Sequence, residues 1–528
     1  MDLHPRLASR RSGLLLHPTS LPSPHGIGDL GAEARAFADQ LRAARQSWWQ
    51  VLPLVPPAGG ASPYTSSAAF ATNPLLIDLR GLVALGLLEP AELDAAVRPV
   101  RARVDFGEAH AAKTPLLERA HARLLATPSS PHRAALEAWA ATQGWLDDYA
   151  LFEALHEAHE HRGWTTWPVP LRDRDPAALA EARRAHATRY DYHRFTQWVF
   201  EAQWQALRAE LAARGVSVMG DIPIFVAHDS VDVWAHRRCF QLDPDGAPTF
   251  VAGVPPDYFA KDGQLWGNPL YDWAAQAEDG YAWWIERFRN AFQRYDAVRV
   301  DHFIGFYRAW HVDRTATTAR VGTFKPGPRE ALFEAVHAAL GPLPIVAEDL
   351  GVIVPGVWKL RERFGYPGMR ILQFGFGDIE GGNEHLPHEV DVASIAYTGT
   401  HDNDTTTGWY QGLTEKVNAG GDEAGAAAAQ REHVWRYLGG VPEKVHWAAI
   451  RQVLQCAATL AVFPVQDVLG LGRDARMNVP GVADGNWGWR LLPGQLDGEA
   501  LRVLGEQTTL FGRHPRPPRP PPVEHDGA

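Results

Sequence analysis

Three carboxylates stand directly after short apolar runs: Asp301 in AVRVDHF, Glu348 in PIVAEDL and Asp402 in YTGTHDND. An acidic residue that closes a buried run sits at a strand end, where polar groups from several strands converge on one cleft. Strand alternation puts Arg299 and Asp301, at i and i+2, on the same side, so a guanidinium lies beside that carboxylate and keeps it ionised. A glycosidic nucleophile must be ionised. Its partner acid must hold a proton near neutral pH, as Glu348 does if it is desolvated or close to other negative charge. A nucleophile and an acid/base about 5 Å apart make a retaining site that works through a covalent glycosyl intermediate. Each residue alone has a plainer reading, Asp301 as a buried ion pair with Arg299 and Glu348 or Asp402 as a helix cap or loop residue. Three acids at three strand ends favour chemistry.

Two other features carry no catalytic pattern. The run HEAHEH, from His156 to His161, has a superficial likeness to the zinc-binding HExxH. Counted from His156, that pattern needs a second histidine where this chain has Glu160, so the stretch is expected to be a solvated helix face. The two cysteines, Cys239 and Cys456, are far apart and carry no metal-ligand spacing. Neither a metal nor an organic cofactor is expected.

The acids need a scaffold. Apolar or β-branched runs bounded by Gly and Pro recur at 12–17, 48–54, 216–222, 296–301, 344–348, 369–374, 394–398 and 460–465, with helical stretches between them. Eight alternating strands and helices predict an α/β fold, a (β/α)₈ TIM barrel, which by itself takes about 250 residues. A chain of 528 residues therefore carries insertions. The expected layout is barrel over 1–80, a mainly helical inserted subdomain over 81–215, the rest of the barrel over 216–512, and a disordered Pro-rich tail over 513–528. In the insertion, Pro115 reads as a first helical position followed by Leu116, Ala120 and Leu124, and Phe200, Trp204, Leu207 and Leu211 make a second core-facing stripe. Residues 243–273, rich in Pro, Gly, Asp and aromatics, have no clear period and read as a long functional loop.

Composition narrows the partners. With 62 acidic and 51 basic residues the formal charge is −11, the wrong sign for nucleic acid or anionic lipid. No run approaches the ~18 apolar residues of a membrane span, and Leu14 to Leu16 is too short for a signal-peptide core, so a cytoplasmic location is expected. The 20 tryptophans, many beside Gly, Pro or Asp, suit sugar rings, whose C–H faces are apolar and whose edges carry hydroxyls.

Longer motifs then add a resemblance. RSGLLLHPTSLPSPHGIGDLG, SPYTSSAAFATNP, GDIPIFVAHDSVDVW, PPDYFAKDGQLWGNPLYDW, RVDHFIGF, VAEDLGVI and GTHDNDTT occur in this order over nearly the whole chain. The sequence resembles the amylomaltase, or 4-α-glucanotransferase, family of the α-amylase clan. The resemblance implies Asp301 as nucleophile, Glu348 as acid/base and Asp402 as the acid that binds sugar hydroxyls and helps distort the ring. It implies substrate contacts from Arg299, His401, Asp221 and Tyr64, and a lid over the acceptor side carrying Tyr258, Gln264 and Trp266. Partners would be α-1,4-glucans, including maltooligosaccharides, amylose and glycogen, with glucose as an acceptor. Ile304 replaces an arginine frequent in the family, Tyr307 an acidic residue, and the Pro-rich tail is outside the family pattern. A glucan hydrolase on the same scaffold and a non-catalytic glucan-binding protein are the rival readings.

Overall fold

The computed structural model describes residues 2–58, 60–256, 261–351, 353–377, 382–440 and 442–515. Eight strands are parallel: β1 Arg11–Leu15, β2 Trp48–Gln50, β3 Ser217–Pro223, β4 Ala297–Asp301, β5 Ile345–Ala347, β6 Gly368–Ile371, β7 Ser394–Tyr397 and β8 Leu460–Pro464. They lie in the order β6-β7-β8-β1-β2-β3-β4-β5. The Ala347 N–H reaches across the remaining gap to the Pro367 carbonyl at 2.9 Å, and the Met369 N–H reaches the Asp349 carboxylate at 2.8 Å. The (β/α)₈ barrel is thus nearly closed. Helices cover its outside, so its strands are buried on both faces and read as continuous apolar runs; β7 and β8 are buried at every residue.

Between β2 and β3 the chain is mainly helical. The helix Phe106–Leu125 is capped by Asp105, whose side chain accepts the Glu108 N–H. Pro115 lies inside this helix, not at its first turn as the sequence suggests. Its own stripe, with Leu116, Leu117, Ala120 and Leu124 buried, outweighs the one backbone hydrogen bond a proline removes. Lys113 on the same helix is fully buried and pairs with Asp29 at 3.2 Å, tying the helix to the loop after β1. Phe200, Trp204, Leu207 and Leu211 are buried on the long helix Ala187–Ala213.

The segment 243–273 is more regular than a loop. Phe250–Val254 and Gln264–Pro269 pair as an antiparallel hairpin, and Phe250–Val254 also pairs with Arg308–Asp313, which pairs in turn with Thr323–Pro326. This four-stranded sheet lies apart from the barrel sheet. A register shift between Val251 and Gly253 spoils the alternation that would mark the hairpin. A side chain at Gly253 would collide with the Gln264 carbonyl, so only glycine permits the two strands to approach.

At the far end, Arg513 is buried and donates to the carbonyls of Leu454, Arg11, Ala458 and Cys456. Residues 516–528, most of the Pro-rich tail, lie outside the described residues. Among the described residues no helix is long and apolar enough to cross a membrane.

Candidate active site

The ends of β3, β4 and β5 form the centre of the site because their register brings them level. Asp221 pairs with Arg299 across β3 and β4, and Val300 pairs with Ala347 across β4 and β5, one step before Asp301 and Glu348. Arg299 donates through Nη1 to both oxygens of Asp221, at 2.9 and 2.7 Å, and its Nη2 lies 2.9 Å from Asp301 Oδ1. One guanidinium therefore serves two carboxylates. Burial, joined by the neighbouring Asp301, raises Asp221 to about 7 against the pull of Arg299. Tyr64 donates its hydroxyl to Asp221 Oδ2 at 2.7 Å. Burial beside Asp221 holds that phenol well above its ordinary value, so it stays a neutral donor.

Glu348 is buried beyond the end of β5, where desolvation, with the charge of Asp301 added, pushes it up to about 8. It is a carboxylic acid at neutral pH. Its head is held by two backbone donors, His302 N–H to Oε2 at 2.7 Å and Leu350 N–H to Oε1 at 2.9 Å. These donors favour the charged form, and desolvation outweighs them. His302 adopts φ +49°, a left-handed conformation uncommon outside glycine, and its N–H is one of the two donors to Glu348.

Asp402 sits in a loop after β7 shaped by Asn403, whose side chain accepts from Thr400 N–H and Oγ1 at 2.8 and 2.9 Å. Asp402 Oδ1 accepts from the Asn478 side chain at 2.6 Å and lies 3.4 Å from His401 Nε2. Its side chain is 44% exposed, unlike Asp221 or Glu348, and so is open to a ligand. His401 stacks on Tyr64 with ring centres 5.0 Å apart, and Trp487 leans on both rings at 5.6 and 5.8 Å. Burial lowers His401 below its usual value. Behind it a cavity is lined by His17, Thr400, Asn403, Gln466 and Met477.

Arg299, Asp221, Asp301, Tyr64, Glu348, His401 and Asp402 thus surround one barrel mouth. Trp266 joins them through His302, edge to face at 4.8 Å, and its indole N–H donates to Gln264 Oε1 at 3.2 Å. Tyr258 lies outside the described residues. Sequence reasoning missed Asn478, Trp487 and the two backbone donors on Glu348. Trp487, in GNWGW, carries the signal of an aromatic between glycines; backbone donors carry none. Among the described residues no group of three or more His, Cys, Asp or Glu side chains is arranged to hold a metal.

Residues 16–495 match the family model of glycoside hydrolase family 77, described as 4-alpha-glucanotransferase. The 4-alpha-glucanotransferase of Thermus thermophilus is 47% identical over 94% of this chain and 99% of that protein. That of Synechocystis is 46% identical over 96% of this chain and 99% of its own length. Among solved structures, amylomaltase from Streptococcus agalactiae in complex with acarbose superposes with a TM-score of 0.90 at 35% identity, covering 96% of this chain and all of that one.

Proposed function

We propose a mechanism for this chain, which belongs to the 4-alpha-glucanotransferase family and is a 4-alpha-glucanotransferase. An α-1,4-glucan binds along the barrel mouth. Glu348 protonates the leaving 4-oxygen while an Asp301 oxygen attacks the anomeric carbon, so the C–O glycosidic bond breaks as a β-glycosyl ester forms. The released fragment departs and the 4-hydroxyl of another glucan, or of glucose, takes its place. Glu348, now a carboxylate, accepts that hydroxyl's proton as the oxygen attacks and the ester bond to Asp301 breaks. Two inversions retain the α-1,4 linkage, and Glu348 ends the cycle protonated as it began.

The single observation that carries this reading is the division of labour around Arg299. Its guanidinium lies against Asp301, while desolvation keeps the neighbouring Glu348 protonated. A carboxylate held by a guanidinium suits the nucleophile, and a desolvated acid beside it suits the proton donor. Asp402, open to ligand and oriented by Asn478 and His401, is suited to grip sugar hydroxyls and favour a distorted ring. Tyr64 and Trp487 offer aromatic surface to the donor sugar. Trp266 and Gln264 are suited to hold the acceptor and to exclude water. The Streptococcus agalactiae amylomaltase was solved in complex with acarbose, which supports oligosaccharide binding by this chain.

The substrates would be maltooligosaccharides, amylose and glycogen, with turnover of maltodextrin or glycogen in the cytoplasm as the setting. The net charge of −11 suits a partner that is neutral over one that is a polyanion. Incubation of the purified protein with maltotriose alone tests the reading. A ladder of longer maltodextrins plus glucose is expected. Glucose and maltose alone would make water the acceptor and overturn the proposed role of Trp266 and Gln264.

A further inference from the structure

HEAHEH, which fails the zinc-binding pattern by one position, is not a uniform helix face in the folded chain. The helix Leu146–Ala158 ends inside it, with His159 as its C-cap. The His161 N–H bonds back to the His156 carbonyl at 2.7 Å, and the Glu160 N–H to the Glu157 carbonyl at 3.1 Å. Those two bonds make a Schellman turn, in which the residues at His156 and His161 ordinarily bring two apolar side chains together. Here they bring two imidazoles together, five positions apart in sequence. The chain does this without glycine, with Glu160 at φ +58° and His161 at φ +56°.

The resulting separation, spanned now by a hydrogen bond between the rings, also suits a chelate. His156 Nδ1 and His161 Nδ1 are 3.3 Å apart. One ion about 2.0–2.1 Å from each nitrogen, at right or tetrahedral angles, needs them roughly 2.9–3.4 Å apart. The remainder of His156 is prepared for this role. Its Nε2 lies 3.0 Å from Asp229 Oδ2, and an outer carboxylate that takes the far N–H is the usual partner of a ligating histidine, since it leaves the other nitrogen's lone pair free. Phe152 stacks on the His156 ring with centres 5.5 Å apart and 14° between planes, fixing its orientation. Asp229 is itself fixed, because its Oδ1 accepts the Trp164 N–H at 3.1 Å. His161 is exposed, so the open side of the pair faces solvent.

We propose that His156 and His161 form a two-imidazole site for a borderline divalent transition-metal ion of the Cu²⁺, Ni²⁺ or Zn²⁺ class. Imidazole pairs prefer these ions to Mg²⁺ or Ca²⁺, and water completes the coordination. Without metal, one Nδ1 carries the proton that the other accepts. On binding, His161 takes the tautomer protonated at Nε2, on its solvent side, and its Nδ1 lone pair turns to the ion. Both ligands belong to one helix and its terminal turn, which His156 already ties to Asp229 in the loop after β3, so the ion would fix that turn and lie outside the catalytic cycle.

The test uses the tag-free full chain, stripped with a chelator and titrated with Cu²⁺. A His161→Asn variant removes one ligand and leaves the His156–Asp229 pair intact, and asparagine tolerates the left-handed backbone at that position. At one equivalent, electron paramagnetic resonance of the parent should carry coupling from two imidazole nitrogens and that of the variant from fewer. Calorimetry should find the tightest site weakened at least tenfold in the variant, with transfer activity in metal-free buffer unchanged as evidence of folding. A parent without a tight Cu²⁺ site, or a variant that binds Cu²⁺ as the parent does, would overturn the proposal.

Discussion

At Arg299 one positive charge faces three acids, Asp221, Asp301 and Glu348, so the buried group is stable near neutrality only with a proton in it. Burial and the charge of Asp301 hold a proton on Glu348 up to about pH 8. The proton is needed for the first step, so kcat/KM, which reports the free enzyme, should fall about tenfold per pH unit above that value. A profile that stays flat to pH 9.5 would contradict the assignment. Glu348→Gln should lower turnover of maltotriose by about 10²–10⁴-fold, the usual share of a general acid. The same variant should still release fluoride from a maltosyl fluoride in its first turnover, since that leaving group needs no proton, and a first turnover slowed as much as maltotriose cleavage would point to a structural defect. Asp301 and Glu348 were legible in the sequence because each closes a buried run, and Asp402 because it lies in the polar loop that follows one. Asp221 and Tyr64 came into view only through the family resemblance, since a single acid or tyrosine in a strand or loop has no spacing of its own. The backbone donors on Glu348 had no residue type to announce them.

The strands of the barrel were legible for a physical reason: burial on both faces leaves an unbroken apolar run between Gly and Pro. The four-stranded sheet beside the mouth was not, because Phe250–Val254 finds a partner in Arg308–Asp313 only across a barrel strand, and glycines interrupt its pattern. That sheet matters because it carries Trp266. An aromatic contact is worth about 0.5–1.5 kcal/mol, so Trp266→Ala should raise the ratio of hydrolysis to transfer about 2- to 12-fold with maltotriose, read as new reducing ends, which only hydrolysis adds, against the ladder. An unchanged ratio with a lower total rate would remove Trp266 from acceptor selection. Lys113 and Asp29 are both buried, and breaking a buried pair by removing one partner costs about 3–5 kcal/mol. Lys113→Met should therefore unfold at lower denaturant with little change in the midpoint of the pH–rate profile. Stability within 1 kcal/mol of the parent would mean that Asp29 is satisfied by Ser23 and Gly31 alone.

For the molecule as a whole, the barrel brings side chains from β3, β4 and β5 and from the loops after β2 and β7 to one mouth, and the distinction between nucleophile and acid arises from where each is buried. The architecture was readable from hydrophobic periodicity, whereas the protonation pattern depends on distances and desolvation that only the closed barrel sets. The most direct test of that pattern is to trap the intermediate. Glu348→Gln should react with maltotriosyl fluoride, because fluoride leaves unaided, and should stall afterwards for want of a base. Mass spectrometry of the intact chain should then find the added mass of one maltotriosyl group, and peptide mapping should locate it on Asp301. A label on Asp402 or Asp221, or turnover with no covalent adduct, would contradict the double-displacement assignment.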